Sequence, residues 1–444
     1  MNTPICDFVR DYAQKNPLRL HMPGHKGISL LGMEHLDLTE IDGADSLYEA
    51  HGIIAQSEAN ASALFDCPTF YSTEGSSQCI RAMLDLVLLY AKEMGKAPQI
   101  MAARNAHKTF LTALALLDLQ VEWLSPGEHS SYLSCDLSPE ALEDALEHAQ
   151  EKPVAVYLTS PDYLGRMADI AALGEVCHRH GVLLVVDNAH GAYLKFLPQS
   201  LHPMDLGADL CCASAHKTLP ALTGGAYLHL SERMNTLLGH QVKHALSLFG
   251  STSPSYLILQ SLDGVNGWLP QLPDKLNRLL PEMDACKSRL TQQGYTLYGH
   301  EPLKLTILSK PYGYTGTQLA DLLRQQNIAP EFADPDHLVL MLSTDPTSLP
   351  RLEEALCHIP KRPPLTEQPP AFHTATPVMG IREAMLSPSE VWPVEQCLGR
   401  VLAMPSVGCP PAVPILVCGD RIDTQAIACF QYYGIHHCTV VKTI

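Results

Sequence analysis

The 444-residue chain carries 14 cysteines, yet no two of them stand at C-x-x-C spacing, and the only adjacent pair is Cys211-Cys212. That absence removes the usual zinc and redox motifs, and a chain of this size needs no disulfide framework. Reduced thiols packed as small hydrophobes are expected instead. Positive charge is also scarce: 30 Lys and Arg face 47 Asp and Glu, a net charge of −17. Such a balance argues against a nucleic-acid partner and suits a cationic substrate, although solubility accounts for it equally well. The first residues, MNTPICDFVRDYAQKN, lack the basic and apolar regions of a secretory leader. No apolar run reaches the length of a membrane span, so a cytoplasmic protein without membrane contact is expected. No internal repeat is present.

What the chain does have is an ordinary globular composition, 46% hydrophobic and 17% charged, with length for two or three domains. From about residue 70 to 260, short apolar runs alternate with helical patterns, as in a mostly parallel sheet wrapped by helices. QIMAAR (99–104), VAVYLTS (154–160) and VLLVVD (182–187) lack polar alternation, which is the mark of strands covered on both faces. Ile80, Met83, Leu84, Val87, Leu88, Ala91 and Met94 recur at helical spacing, and Ser138-Pro139 supplies a cap and first-turn proline. The organisation expected is an N-terminal arm over 1–60, a large α/β domain over 61–262 and a small α+β domain over 263–360. A proline-rich linker at 361–377 and a C-terminal segment at 378–444 follow.

Ligands of a doubly wound sheet bind beyond the carboxyl ends of its strands, so the residues after each apolar run matter most. Four such ends stand out. In YSTEGSSQCIRAML, Gly75, Ser76 and Ser77 lie just before the Ile80 helix, where free N–H groups favour an anion or merely cap the helix. In RNAHKT, His107 follows a strand; alone it reads as a helix-start residue. In VVDNAHG, Asp187 ends the most apolar strand and requires a partner, with Ala189 and His190 in the turn beyond. In ADLCCASAHKT, Ser214, His216 and Lys217 close an apolar run that reads as core, so Lys217 is either solvated or used chemically.

Pyridoxal 5′-phosphate answers all four requirements: its phosphate suits Gly75 to Ser77 with Ser214, and its pyridinium nitrogen suits Asp187. Its ring can stack on His107, and its aldehyde can form an imine with Lys217.

The motifs HMPGHKG (21–27), DNAHGAYLKF (187–196), SAHKTLPALTGGAYLH (214–229), STSPSYLILQSLD (251–263) and LGRV…CPPAVPILVCGDRI (398–422) resemble the bacterial ornithine/lysine/arginine decarboxylases. The resemblance runs from about residue 17 to 425. It implies the aspartate-aminotransferase fold, fold type I of the pyridoxal-phosphate enzymes. It also implies decarboxylation of a basic amino acid, with polyamine metabolism as its setting. It makes Lys217 the Schiff-base lysine and Asp187 the partner of the ring nitrogen. His107 would stack on the ring, and Ser76, Ser77, Ser214 and His216 would hold the phosphate. Thr252 would reach the phosphate of a neighbouring subunit, which implies a homodimer or a larger even-numbered assembly. Lys217, or His216 beside it, would return a proton to Cα.

Three departures from the family pattern stand in the chain. Asn188 replaces the glutamate of D-E-A-H, and its side chain is expected to turn from the cofactor. Cys409-Pro410-Pro411-Ala412-Val413-Pro414 replaces Y-P-P-G-I-P, which bears on substrate choice. The sequence starts almost at HMPGHK and so resembles the short form, without a response-regulator-like N-terminal domain, in which arginine decarboxylation is common.

Other readings share these residues. An aminotransferase or another pyridoxal-phosphate lyase would clamp the α-carboxylate with an arginine, and Arg351 and Arg382 are available. A non-catalytic binding protein on a retired scaffold would leave CPPAVP as its trace. His21, His25 and Lys26 could simply decorate a Pro-Gly turn; His21, His25 and His35 lack the supporting pattern of a metal site, and no metal is expected. Glu331 and Asp334 could face a substrate cation, although solvating a turn is the simpler role.

Overall fold

The computed structural model describes residues 2–124, 127, 131–134, 136–345, 347–371, 375–405 and 411–442. Among the described residues, thirteen strands are arranged in three sheets. The first sheet holds β1 (Thr69–Ser72), β2 (Gln99–Ala102), β3 (Gln120–Trp123), β4 (Ala155–Thr159), β5 (Leu183–Asp187), β6 (Leu210–Ala213) and β7 (Ala226–Leu230) in the order β1-β7-β6-β5-β4-β2-β3. β8 (Thr296–Tyr298), β9 (Lys304–Leu308), β10 (Phe332–Ala333) and β11 (His337–Met341) form a second sheet, and β12 (Ser389–Pro393) pairs with β13 (His437–Val441). This is the α/β class the apolar runs imply, and in the smaller sheet β10 with β11, β11 with β9 and β9 with β8 all pair antiparallel.

The chain forms two compact units. One comprises Met1–Gln99, Leu146–Leu158 and Ile170–Asp274; the other comprises Ile100–Ala145, Thr159–Asp169 and Lys275–Ile444.

In the first unit, every residue of β5, β6 and β7 is buried, so the side chains must be apolar on both faces and LLVVD and LCCA satisfy this. β5 and β6 run parallel, with Asp187 level with Cys212. β7 is antiparallel to β6 and β1 antiparallel to β7, so the carboxyl ends of β1, β5 and β6 share one edge. Phe65, Tyr227, His202 and His229 pack ring to ring beneath this sheet region, with Phe65 and His229 centroids 4.8 Å apart. The helix Gly75–Glu93 follows β1 directly. It begins at Gly75 itself, not after Ser77, and Gly75 takes φ +71, a left-handed conformation that admits glycine at little cost and turns the chain from β1 into the helix.

In the second unit, the helix Gly316–Gln325 is closed by a capping box between Thr315 and Gln318. Leu133, Tyr163, Leu164, Val339 and Val413 form one small core, while Val394, Leu402, Ile422, Phe430 and Val440 anchor a second one in the C-terminal segment. The stretch 360–371 is without helix or strand, as its prolines require.

Candidate active site

Within the first unit, Asp187 ends β5 and is 2% exposed. Its Oδ1 accepts from the Ala189 N–H at 3.1 Å and lies 3.5 Å from Cys212 Sγ, while Tyr157 donates its hydroxyl to Oδ2 at 3.2 Å. Burial pushes the Asp187 carboxyl above its ordinary pKa, and the Lys217 charge pulls the other way. The hydrogen bonds that position its oxygens come from neutral donors, so a cation beside it would lower its energy.

β6 leads through Ser214 into the short helix Ala215–Thr218, which carries His216 and Lys217. Lys217 is exposed, which answers the burial half of the sequence question while leaving its chemical use open: the buried run ends at Ala215, and the next turn lifts the lysine off the strand edge. Its Nζ lies 3.0 Å from Nε2 of His190, in the turn after β5. His216 Nδ1 is 3.0 Å from the Gly225 carbonyl, and burial depresses the imidazole pKa.

Two glycines tie this turn to the start of the Gly75 helix. Gly75 donates its N–H to Gly224 O at 2.8 Å, His216 donates its N–H to Gly225 O at 3.2 Å, and a Cβ placed on Gly75 would lie 3.9 Å from His216 Cε1. Behind the turn, Gln78 accepts from Ser72 Oγ and donates to Tyr48 Oη at 2.7 Å and Leu246 O at 2.8 Å, which fixes the first helical turn. The Gly75–Glu93 helix has no side-chain cap. Thr73 Oγ1, Ser214 Oγ and Thr218 Oγ1 are buried without a hydrogen-bond partner among the described residues. Unpartnered hydroxyls next to an uncapped helix start are what a phosphate group would satisfy, and the residues therefore fit pyridoxal 5′-phosphate.

The remaining expected residues fall as follows. His107 caps the helix Lys108–Leu117 and accepts from the Thr109 N–H at 3.1 Å; it belongs to the second unit. Thr252 is exposed in a loop with Ser251 and Ser253. Asn188 is fully buried, and its Oδ1 would lie 1.9 Å from a Cβ on Gly191, so only glycine fits there. The HMPGHK turn is tied internally: His25 accepts from the Gly27 N–H at 2.9 Å and meets Asp37 at 3.3 Å, while Lys26 donates to the His21 carbonyl. Glu331 accepts from the Tyr163 hydroxyl at 2.7 Å, and Asp334 Oδ1 accepts the N–H groups of Asp336 and His337, the turn-capping role. Arg351 and Arg382 both donate to backbone carbonyls, at Gln326 and Leu116 among others.

Cys409 and Pro410 lie outside the described residues. Ala412, where the family pattern has glycine, keeps a left-handed φ of +58, and its carbonyl accepts from the Lys108 N–H at 2.8 Å. Sequence reasoning missed Tyr157 and Cys212 as partners of Asp187 and did not pair His190 with Lys217. Cross-strand neighbours leave no spacing signal.

The fold is that of the lysine decarboxylases. The crystal structure of Francisella novicida lysine decarboxylase LdcF superposes with a TM-score of 0.81 at 15% identity, covering 99% of this chain and 81% of that one. The constitutive lysine decarboxylase of E. coli gives 0.77 at 17% identity, over 99% and 82%. In sequence, the chain is 30% identical to an arginine decarboxylase of Halalkalibacterium halodurans, covering 96% of this chain and 92% of the relative. An arginine decarboxylase of Bacillus subtilis is 28% identical over the same shares. Residues 3–271 match the major domain of the Orn/Lys/Arg decarboxylases, and the chain belongs to that family. It is a decarboxylase of the basic-amino-acid type, with pyridoxal 5′-phosphate as its cofactor.

Proposed function

We propose that the protein decarboxylates arginine to the corresponding amine and CO2, works as a homodimer in the cytoplasm, and supplies polyamine metabolism. The observation that carries the reading is the placement of Asp187 and the Lys217 turn at adjacent carboxyl ends of two parallel strands, with Lys217 Nζ 3.0 Å from His190 Nε2. Arginine is favoured among basic substrates because the relatives that match along nearly the whole chain include the arginine decarboxylases of Halalkalibacterium halodurans and Bacillus subtilis.

In this reading Lys217 holds the cofactor covalently and Asp187 keeps a proton on the ring nitrogen. Ser76, Ser77, Ser214 and His216, with the Gly75 turn, hold the phosphate, and the stacking role of His107 rests on the family resemblance alone. When bound, pyridoxal phosphate supplies the electron sink for the pair released as the Cα–carboxylate bond breaks. Lys217 returns a proton to Cα, and His190 replenishes it through the contact between them. His216 is the weaker donor, because its Nδ1 is engaged by Gly225 O. The guanidinium groups of Arg351 and Arg382 are engaged by carbonyls, which favours loss of the carboxylate over its retention by an arginine clamp.

Two features support the homodimer. Thr252 is exposed on the isolated chain, and Leu18, Leu20, Leu30 and Leu31 are each at least 84% exposed, more apolar surface in one segment than a lone chain ordinarily leaves in water. The cytoplasmic setting is supported by the described cysteines, none of which is in a disulfide. The division at residues 262/263 and 360/361 belongs to the same proposal.

The test is release of labelled CO2 from arginine, lysine and ornithine by the purified protein, with its mass measured by light scattering. Arginine should give the highest kcat/KM and the mass should be twice that of the chain. A keto acid product, a preference for another substrate, or a monomer would each overturn the corresponding part.

A further inference from the structure

In the second unit, a cavity of about 350 Å³ lies between the β10–β11 turn and the C-terminal helix Thr424–Tyr432. Tyr132, Phe332, Tyr432 and Tyr433 line it, and Asp334 is the one charged side chain among the described lining residues. The rings form a continuous wall: Tyr132 and Tyr433 centroids are 4.7 Å apart, and Tyr432 and Tyr433 centroids 4.9 Å apart.

The charge balance around this wall is negative. Asp334 is 6% exposed, with Oδ1 engaged by two backbone N–H groups and Oδ2 3.2 Å from the His337 ring. Asp336, two residues on, is paired with Lys310 at 2.8 Å and accepts from the Tyr432 hydroxyl at 2.7 Å. Lys310 also lies 5.0 Å from the Tyr432 ring centroid, so one ring of the set already faces a cation. Glu331, next to Phe332, adds a third carboxylate, held by the Tyr163 hydroxyl, whose ring Lys304 faces at 5.8 Å. The carboxylates Asp334 and Asp336 are close enough to raise the pKa of the Tyr132 and Tyr433 hydroxyls, after burial as the larger cause. Asp334, Asp336 and His337 could also be read as metal ligands, but the Lys310 ammonium already occupies the place of a counter-ion to Asp336.

We propose that this cavity binds an alkyl amine or alkyl guanidine dication, with the cationic head on Asp334 and the tyrosine faces and the stem along Val413 and Ile415. Aromatic faces and a carboxylate are the groups that recognise such cations, and the volume falls in the range of small-molecule sites. The amine product of a decarboxylation suits it better than the amino acid does, a step that rests on the function proposed above. No lysine, arginine or histidine is among the described lining residues, so an α-carboxylate would enter an acidic cavity without a partner, and the amine has lost that group.

The test titrates 4-aminobutylguanidine, 1,4-diaminobutane and 1,5-diaminopentane into the holoenzyme by calorimetry, with the cofactor's visible absorption followed in the same samples. One amine per chain should bind without change in the visible band, and with the same affinity in Lys217→Ala. Asp334→Asn, whose amide oxygen can still cap the turn, should weaken binding at least tenfold, and Ile435→Trp, which fills the cavity, should do likewise. Arginine should bind at least tenfold more weakly than its amine. The proposal falls if the heat of binding vanishes in Lys217→Ala, if both cavity variants bind as the parent does, or if arginine binds as tightly as the amine. Amine binding that survives in a protein giving no CO2 would sink the proposed activity and leave the cavity standing as an amine site.

Discussion

Lys217 Nζ lies 3.0 Å from His190 Nε2, across the gap between the turns that follow two adjacent parallel strands. An amine and an imidazole at this distance share one hydrogen bond, so the proton on one is available to the other. Lys217→Ala should abolish the visible band of the lysine-bound cofactor and lower decarboxylation by on the order of 10³-fold or more. Its thermal stability without cofactor should stay close to the parent's, because the lysine is exposed. His190→Phe should keep the band and lower kcat by about 10²-fold, the scale of a lost proton-transfer partner. An unchanged kcat in the histidine variant would exclude His190 from proton transfer.

The burial of Asp187 gives a second prediction, with a definite sign. A carboxyl whose folded pKa is raised contributes stability below its unfolded value, near 3.9, and loses it as pH rises through the folded value. Above its unfolded value the buried Asp187 carboxyl therefore costs the cofactor-free protein stability, which a protonated ring nitrogen would offset. Pyridoxal phosphate should raise the melting temperature of the parent more than that of Asp187→Asn, and the variant without cofactor should melt no lower than the parent. Activity should fall about 10²-fold or more, since the electron sink loses its fixed countercharge. A variant stabilised by cofactor as strongly as the parent would contradict this pairing.

Much of this arrangement is readable from sequence because burial on both faces leaves a plain signature. The unbroken runs at 183–186 and 210–213 announce strands, and the first polar residues after them, Asp187 and Ser214, announce the sheet edge. The same rule leaves Lys217 undecided between solvation and chemical use: apolar neighbours suggest burial, but one turn of helix beyond Ala215 is enough to bring a side chain to the surface. Tyr157 stands 30 residues from Asp187 and touches it only because the chain folds. Nothing local in the sequence encodes that contact. His107 shows both layers at once: its helix-capping role follows from local chemistry, while ring stacking depends on a ligand.

Gly224 links backbone geometry to the phosphate turn. It adopts φ +100, and a Cβ there would lie 2.7 Å from the Thr73 carbonyl oxygen and 3.0 Å from Ile258 Cδ1. Its own carbonyl receives the Gly75 N–H at 2.8 Å. Gly224→Ala should therefore cost roughly 2 to 4 kcal/mol in urea unfolding, from combined strain and overlap. It should also weaken cofactor binding, because the Gly75 turn must shift with it. Full stability in this variant would mean that the turn can relax without consequence.

The histidine pair beneath the sheet predicts how the protein fails in acid. His202 and His229 are fully buried, their centroids 5.0 Å apart, and each Nε2 lacks a hydrogen-bond partner among the described residues. Burial pulls His202 down to about 4 and holds His229 well below the usual histidine range. Asp205 and Lys195 act on His202 in opposite directions and are paired with each other at 2.6 Å, so burial decides. Both rings stay neutral in the folded chain while the unfolded chain takes up protons below about 6.5. Stability should thus decline as pH falls through that value. The His202 share amounts to about 3 kcal/mol and levels off near pH 4, where the folded ring also protonates. His202→Phe, which places another ring beside Phe65, should reduce the slope of unfolding free energy against pH by close to one proton between 6 and 4.5. Urea titrations at several pH values measure that slope, and an identical slope in parent and variant would show that His202 is protonated in the folded chain.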